Sequence, residues 1–594
     1  MPFLPPSLLS NTLRANLFNA RFTVKFTCTT IRRANMATGH KTTMVTASPE
    51  QFMRTSGSTD AVWVHTEPYS NYPKYPSLNK DLETDVCVIG SGISGVSTAY
   101  ELVKKGVQVV MIEARDIISG ETGRTSGHLA SDIDDGYTEV KSKHGDKGAV
   151  MHFESHDWAI KRVGEISREL GIECEYRNLP GYNVSQYPRG DKHHEEDVKM
   201  LKEEIAYSKT LGMDAEWKEG YAIKGWNGQI DQRDAAVFYN QGTFHPTKYL
   251  LGVLKWLSQQ PNFSCYTRTR MMECQEKGIE IMGMGSKEVK VSTEEGNTIT
   301  CKDVVMATCV PLQKLSVVAE MEYYRTYCIA VRIPKGSYED ALIYDTADAY
   351  KYIRFTECDE RDDYLVIGGC DHKVGQHENE KVNYEELERW TRERFTQVGS
   401  TDYKWSGQIF EPVDAVAFIG LDPGTKHTYI VTGDSGNGLT HGVMAGRIIA
   451  DQITGQENAW ASLYDPSRKA SIVKSAKEMI THDLQINSQY KRLLQSDIND
   501  IEDLLPGTGG VLNPKTSKPI AVYKTESGEV RKMSALCPHM KGVVCWNHAE
   551  ASWDCPVHAS RFSSDGVCVM GPAKGNLNPE NEEAKRALQQ AIKG

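Results

Sequence analysis

The chain has 594 residues, of which 39% are hydrophobic and 25% are charged, and its formal net charge is -11. This composition indicates a globular protein of several domains, and the 14 scattered cysteines exclude a secreted disulfide scaffold. The acidic balance excludes a general attraction to nucleic acid, and the absence of a run of about 18 apolar residues argues against a membrane-spanning helix.

The N-terminal segment, residues 1–49, contains no Asp or Glu but many Ser, Thr and Asn. Its basic residues are Arg14, Arg21, Lys25, Arg32, Arg33 and Lys41. This composition predicts a transit peptide for a mitochondrion or plastid, with a disordered tail as the alternative. Translation from Met36 would instead give a cytoplasmic form. Residues 50–80, rich in Pro, Ser and Tyr, are interpreted as an approach segment.

A strand–helix–strand unit begins at residue 85. Residues 85–89 and 107–112 predict buried strands, and residues 97–105 have helical spacing. A Gly-x-Gly-x-x-Gly motif, Gly90 to Gly95, stands between the first strand and the helix, where glycines permit a tight turn and close approach of a pyrophosphate. Glu113 follows 18 residues later, as expected of a carboxylate that binds ribose hydroxyls and repels a 2′-phosphate. The pattern predicts a dinucleotide site without choosing between FAD and NAD.

Two further segments bear on that choice. Residues 120–128 read Gly-Glu-Thr-Gly-Arg-Thr-Ser-Gly-His, and residues 432–442 form a second glycine-rich loop that leads into a helix continuing to residue 454. The second loop predicts a helix N-terminus directed at a flavin ring, where positive dipole meets the charge of the reduced ring. Residues 304–308 and 364–369 predict two more strands.

These segments, with Phe244-His245-Pro246, resemble the FAD-dependent oxidoreductases of the D-amino-acid oxidase, glycine oxidase and sarcosine dehydrogenase superfamily over residues 81–466. The resemblance implies an α/β Rossmann-like FAD-binding domain interleaved with an antiparallel α+β substrate domain. It also implies hydride transfer from an amine or amino-acid carbon to flavin. The FAD contacts that it implies are Gly90, Gly92, Ser94, Gly95, Glu113, Ala114, Arg115, Thr125, Ser126, Ala307, Thr308, Gly433, Gly436, Gly438, Leu439 and Thr440.

A metal motif lies near the C-terminal end. Cys537-Pro538-His539 is followed, after fifteen residues, by Cys555-Pro556-Val557-His558. Each of two loops thus supplies one thiolate and one imidazole, the set needed by an iron–sulfur cluster with two Cys on one iron and two His on the other. The alternative is structural zinc, which usually takes both cysteines from one hairpin and both histidines from a helix.

With residues 546–562 and 571–573, these ligands make residues 501–577 resemble the Rieske [2Fe-2S] family, a small all-β domain. Respiratory members add a disulfide between the two loops, whereas the corresponding positions here are Gly542 and Val557, and Cys545 has no evident partner. Ser560 keeps a hydroxyl donor, but Phe562 lacks that of the usual Tyr. Fewer hydrogen bonds to sulfur predict a low reduction potential. Residues 467–500 are predicted to form a helical linker and residues 578–594 a helical tail.

The substrate residues are the weakest predictions. Arg354 on a predicted strand suits a substrate carboxylate, with a solvated strand arginine as the alternative. His128 is a candidate for the flavin or substrate site, or a packing residue.

We expect a dehydrogenase that oxidises an amine or amino acid and passes single electrons through the cluster to an external acceptor such as a ferredoxin. The alternatives are a reductase or oxygen-activating enzyme fed by ferredoxin, and a non-catalytic redox sensor; no two-His-one-carboxylate set points to a Rieske oxygenase.

Overall fold

The computed structural model describes residues 52–578, except residue 227 and residues 278–287, 313–316, 318–319, 377–378, 469–488 and 515–517. The predicted transit peptide, most of the helical linker and nearly all of the helical tail therefore lie outside the described residues. Among the helices that are described, none has the length and apolarity needed to cross a bilayer.

The nucleotide-binding half is built on a six-stranded sheet in which all neighbours are parallel except one pair at an edge, Phe418–Leu421 with Thr428–Thr432. Its strands in spatial order are β18 (Phe418–Leu421), β19 (Thr428–Thr432), β12 (Asp303–Met306), β2 (Val86–Ile89), β3 (Val109–Ile112) and β8 (Phe263–Tyr266). Strands β2 and β3 confirm the two predicted from apolar runs, and both are wholly buried because helices cover the sheet.

Helices pack on this sheet and join it to the rest of the chain. They are α1 (Ile93–Lys104), α2 (Tyr137–Leu170, broken at Gly145), α3 (His194–Thr210), α4 (Pro246–Leu257), α5 (Lys381–Arg394), α6 (Gly438–Ile453) and the single turn α7 (Ala461–Tyr464). Helices α1 and α6 cross closely because glycines of α6 face α1, and a Cβ at Gly442 would lie 2.5 Å from Ile93. This contact brings the N-termini of both helices to one place.

The substrate half is a nine-stranded, mainly antiparallel sheet, in which only β5 and β14 pair in parallel. Its strands are β4 (His128–Leu129), β5 (Arg177–Val184), β6 (Ala215–Lys218), β7 (Ala235–Thr243), β13 (Met321–Pro334), β14 (Leu342–Asp345), β15 (Tyr352–Glu357), β16 (Asp362–Lys373) and β17 (Thr401–Pro412). A smaller sheet contains β1 (Leu82–Glu83), β9 (Met271–Lys277), β10 (Glu288–Thr293) and β11 (Thr298–Cys301). The chain passes repeatedly between the two halves, which confirms the predicted interleaving.

The C-terminal domain is all-β, as predicted. One antiparallel sheet contains β20 (Thr508–Leu512), β21 (Ile520–Lys524) and β22 (Val530–Ser534). The other contains β23 (Cys545–Asn547), β24 (Ser552–Asp554), β25 (Arg561–Ser563) and β26 (Cys568–Met570). Trp553 and Phe562 form a buried core with the two metal-motif cysteines, and the metal-motif loops leave from the ends of these short strands.

Candidate flavin and cluster sites

The first glycine loop has the shape that a dinucleotide phosphate requires. Gly90 has a φ of +106°, and a Cβ at this position would lie 2.3 Å from the carbonyl oxygen of Ala307. A Cβ at Gly95 would lie 1.9 Å from the Gly90 oxygen, so the helix can approach the strand only without a side chain. Gly92 is the N-cap of α1 and has no side chain to cap it, and the Ile93 backbone N–H donates instead to the Thr122 hydroxyl at 3.1 Å.

Glu113 is held at the end of β3 facing this loop. Its carboxylate accepts hydrogen bonds from the Ser91 backbone N–H at 3.1 Å and from the Ser91 hydroxyl at 2.9 Å. The other carboxylate oxygen accepts from the Arg115 backbone N–H at 3.0 Å. These bonds fix the acid at the position where the fold binds a ribose.

A cavity opens between α1, α6 and the substrate sheet. Its wall includes many of the predicted FAD residues: Gly92, Ser94, Thr125, Ser126, Ala307, Gly433, Gly436, Gly438 and Leu439. Helix α6 begins in this wall at Gly438 and, like α1, has no side-chain cap. Two helix N-termini therefore face one space, an arrangement suited to the phosphates and the ring of a flavin nucleotide.

A second cavity shares Gly92 and Ala307 with the first and receives the remaining nucleotide residues, Gly90, Glu113, Ala114, Arg115 and Thr308. Unexpectedly, the C-terminal domain supplies part of its wall through Val569, Met570, Gly571, Ala573 and Lys574. The sequence could not indicate this, because nothing local in residues 569–574 identifies which distant surface they contact. The first cavity is also lined by four residues that were not among the predicted contacts: Glu121, Cys309, Gln408 and Asp434.

Three residues predicted to contact FAD or the substrate, Gly95, Thr440 and Arg354, line neither cavity. Gly95 packs against the loop rather than lining either cavity, and the Thr440 hydroxyl donates to the Asn437 carbonyl at 3.2 Å. Arg354 is fully buried on β15, and each of its three guanidinium nitrogens donates to a backbone carbonyl, those of Gly127, Phe244 and Phe355. The strand was predicted correctly, but the side chain is a structural clamp and not a group that faces the cavity.

His128, a candidate for the flavin or substrate site or a packing residue, lines the flavin cavity. Its Nδ1 lies 2.9 Å from the Ser126 hydroxyl and its Nε2 lies 3.3 Å from the Ile353 carbonyl oxygen. Burial, with the neighbouring charge of Arg354, lowers the pKa of His128 to about 3. The imidazole is therefore neutral at pH 7.

The four metal-motif residues meet in one place. The His539 and His558 rings have centroids 5.1 Å apart. The Cys555 thiol donates towards the Cys537 sulfur and, with the backbone N–H of His539, lowers the pKa of the Cys537 thiol to about 7 despite its burial. Two thiols and two imidazoles, one of each from either loop, match the donor set of a cluster with mixed ligation.

The surroundings of the cluster follow the sequence prediction. The Ser560 side chain is hydrogen-bonded to the Cys537 sulfur and also accepts from the Ala573 backbone N–H at 3.0 Å. Gly542 and Val557 face each other, since a Cβ at Gly542 would lie 2.4 Å from a Val557 methyl group. The loops thus touch where a bridge would join them, without cysteines to form one.

The cluster loops contact the wall of the flavin cavity. The His558 ring lies 6.0 Å from the Tyr323 ring, which lies 5.7 Å from Phe410 on β17. Gln408, also on β17 and part of the cavity wall, donates from its side-chain nitrogen to the Ala559 carbonyl at 3.4 Å. One cluster ligand is therefore separated from the flavin cavity by a single strand and its side chains.

Buried ion pairs fix this contact. Glu550 of the C-terminal domain accepts a hydrogen bond from Arg124 of the flavin segment at 3.0 Å, and both side chains are almost fully buried. Arg561 and Asp554 form a second buried pair, with Arg325 of the substrate sheet 3.9 Å from the same carboxylate. Burial alone would raise the pKa of Glu550, but Arg124 and Arg561 overcome it and lower the pKa to about 2.

The approach segment completes the contact between the domains. The Gly57 backbone N–H donates to the Glu550 carbonyl at 2.8 Å, and the Ser58 hydroxyl donates to the Ala549 carbonyl at 2.7 Å. On its other side, Trp63 donates from its indole nitrogen to the Thr125 carbonyl at 2.8 Å. The segment therefore joins the flavin-binding segment to the C-terminal domain, a role that its polar composition did not indicate.

Comparisons with known proteins agree with this geometry. The family of FAD-dependent oxidoreductases, DAO, matches residues 85–452, and the Rieske [2Fe-2S] domain matches residues 501–581. The Rieske 2Fe-2S iron–sulfur protein YhfW of Bacillus subtilis (strain 168) is 27% identical over 508 residues, which cover 85% of this chain and 94% of YhfW.

Two further proteins are similar over the flavin part. γ-Glutamylputrescine oxidoreductase of Escherichia coli (strain K12) is 25% identical over 422 residues, covering 66% of this chain and 89% of that enzyme. The structure of glycine oxidase from Geobacillus kaustophilus has a TM-score of 0.53 at 16% identity and covers 65% of this chain and 99% of its own, which shows a shared fold. The predicted fold class and the predicted cofactors, FAD and a [2Fe-2S] cluster, are confirmed.

Proposed function

The chain belongs to the family of FAD-dependent oxidoreductases and carries a Rieske [2Fe-2S] domain, and on that premise we propose that it oxidises a small amine or amino-acid-like substrate and passes the electrons through its own cluster to an external acceptor. Bound FAD supplies hydride acceptance, and the cluster supplies one-electron transfer. The E. coli relative, named for γ-glutamylputrescine, supports an amine as the substrate.

The observation that carries the proposal is the contact between the cluster loop and the flavin cavity. Gln408 belongs to the cavity wall and also binds the Ala559 carbonyl, one residue after the ligand His558. Packed and hydrogen-bonded contacts of this kind support electron transfer within the chain.

The other cluster ligand supports an exit to a partner. His539 is only partly buried, and the next residue, Met540, is 38% exposed. His558, in contrast, is 6% exposed and faces Tyr323. The cluster would thus have one edge towards the flavin and one towards solvent, where a one-electron acceptor such as a ferredoxin can approach.

The test is anaerobic mixing of the holoprotein with amines, amino acids and hydroxy acids. Flavin absorbance should bleach, and the paramagnetic signal of the reduced cluster should then appear. In Cys537→Ala, substrate should still bleach the flavin, but reduction of an external one-electron acceptor should stop. Cys545→Ala, which removes a buried non-ligand cysteine from the same domain, is the matched control and should keep both steps.

Three results would contradict the proposal. Flavin reduction that the cluster never follows would refute the internal relay. Turnover sustained by reduced ferredoxin without an organic donor would reverse the direction of electron flow. Tight binding of a protein partner with negligible turnover on any substrate would indicate a redox sensor.

A further inference from the structure

The second cavity, which contains the first glycine loop, has a wall built by two domains. Five residues between positions 569 and 574 of the C-terminal domain line it, together with Gly90 and Glu113 of the nucleotide-binding half. The approach segment adds Thr55, and the other wall residues belong to the flavin part of the chain. The cavity is therefore complete only while the C-terminal domain is docked.

Apolar packing holds residues 569–574 against the nucleotide-binding half. Met570 is buried in the same apolar cluster as Ile89 at the end of β2 and Met271 at the start of β9. A Cβ at Gly571 would lie 2.8 Å from the Leu312 side chain, so the backbone of the C-terminal domain approaches the flavin part closely at this point. The segment is thus a packed wall of the cavity and not a loop that passes over it.

Two hydrogen bonds from cationic side chains cross this contact in opposite directions. Arg270 of the flavin part donates to the Cys568 carbonyl at 2.9 Å, and Lys574 of the C-terminal domain donates to the Met272 carbonyl at 2.5 Å. Both Arg270 and Lys574 line the cavity. An ammonium has three N–H donors, so the bond to Met272 leaves Lys574 able to donate to a ligand as well.

The charge of the cavity wall gives Lys574 a purpose. A dinucleotide brings a pyrophosphate with two negative charges to the first glycine loop, and the N-terminus of α1 offers it only a partial positive charge. Glu113 and Glu121 add acids to the same wall. Two guanidinium nitrogens of Arg115 are bound to backbone carbonyls. Lys574 therefore adds a full positive charge to a wall whose acids oppose the phosphates.

We propose that the C-terminal domain forms part of the FAD site: Lys574 binds the pyrophosphate, and residues 569–574 close the nucleotide end of the cavity, so that FAD is released only when the domain undocks. By thermodynamic linkage, the free energy that FAD gains from the docked domain equals the free energy that docking gains from FAD. This inference concerns how FAD is held, and it does not depend on the substrate or on the direction of electron flow.

The phosphate contact can be tested on protein that has lost FAD and kept its cluster. ADP carries the diphosphate of FAD and adenosine lacks it, so their affinities are compared by equilibrium dialysis. Lys574→Gln should weaken both ADP and FAD about tenfold, as expected for one hydrogen bond to a charged group, and should change adenosine binding less than about twofold. Lys518→Gln, at an exposed lysine of the same domain outside both cavities, is the matched control and should change none of the three.

Closure of the cavity by the domain is tested at residues outside both cavities. Glu550→Gln weakens the docking contact with Arg124, so FAD should leave the diluted holoprotein at least about tenfold faster, which the rise in flavin fluorescence reports. Glu386→Ala, on an exposed face of α5, should leave this rate unchanged. Removal of FAD should also speed hydrogen exchange of the Gly57 backbone N–H, which binds the Glu550 carbonyl across the contact. Cluster absorbance reports that each variant is folded.

Each part of the proposal has its own contrary result. Unchanged ADP binding in Lys574→Gln, or equal weakening of ADP and adenosine, would overturn the phosphate contact. An equal loss in Lys518→Gln would do the same, since the effect would not depend on the position of Lys574. Release of FAD that Glu550→Gln does not accelerate, or Gly57 exchange that is the same with and without FAD, would overturn closure by the domain.

Discussion

The buried Glu550 gives a quantitative prediction about the contact between the two domains. Arg124 and Arg561 lower the pKa of this carboxyl from its ordinary 4.5 to about 2, in spite of its burial. At about 1.4 kcal/mol for each pKa unit, the charged form contributes roughly 3 kcal/mol to folding. Because the pKa is lowered in the folded protein, this contribution is present above pH 4.5 and is lost as the pH falls towards 2.

Glu550→Gln removes the charge but keeps the shape and an amide oxygen for its hydrogen-bond donors. We expect it to lower the free energy of unfolding at pH 7 by about 3 kcal/mol, the value derived from the pKa. Glu550→Ala also removes the acceptor for Tyr384 and Thr59, and it leaves Arg124 unpaired, so the loss should reach about 3–5 kcal/mol. Both changes should also slow electron transfer from flavin to cluster.

The assay is urea unfolding, followed by cluster absorbance and by flavin fluorescence. Glu386→Ala is the matched control, since Glu386 pairs with Arg389 on an exposed face of α5 and its loss should cost less than about 1 kcal/mol. A loss below about 1 kcal/mol in both Glu550 variants, or a loss equal to that of the control, would refute the reasoning. So would an effect of Glu550→Gln that is undiminished at pH 2.

Three further predictions concern single features of the cofactor sites. Gly90→Ala should yield protein that has the cluster but little FAD, because its Cβ would meet a carbonyl oxygen at 2.3 Å, whereas Gly575→Ala, which meets nothing within 4 Å, should keep a full flavin-to-protein ratio. Ser560→Ala removes a hydrogen bond to a cluster thiolate, so a redox titration followed by paramagnetic resonance should give a lower midpoint potential, and an unchanged value would contradict this role. Gly542→Cys with Val557→Cys should form a disulfide between the two loops, detectable by mass before and after reduction, since these positions are in contact; two free thiols in the folded protein would contradict that contact.

Sequence reasoning was most reliable where chemistry depends on spacing along the chain. Gly90 and Glu113 could be predicted because a strand, a tight turn and a helix fix the relative positions of residues some twenty apart. Cys537 and His539 could be predicted because a short loop brings close neighbours to one metal. In each case the local backbone alone fixes where the side chains lie relative to one another, so the spacing of the residues along the chain predicts the site.

The contacts between domains could not be predicted in this way. Arg124 and Glu550 pair across 426 residues of sequence, and nothing near either residue indicates the other. Arg354 shows a related difficulty within one strand. Five of the six residues of β15 are buried, so the strand lacks the alternation that would separate inward from outward side chains. The sequence therefore does not distinguish an Arg354 that binds backbone carbonyls from one that binds a ligand.

The docking of the C-terminal domain constrains the electron exit proposed above. Arg124 pairs with Glu550 across the contact, Arg325 lies 3.9 Å from Asp554, and the approach segment binds both domains, so release of the C-terminal domain would separate these buried charges from their partners. A cluster held in this way cannot swing from flavin to acceptor. If electrons leave through the cluster, as proposed above, the acceptor would instead have to approach the edge of the cluster that carries His539. A substitution at the neighbouring exposed Met540 should therefore reduce the rate of acceptor reduction and leave flavin reduction by substrate unchanged, which separates this fixed arrangement from a mobile carrier.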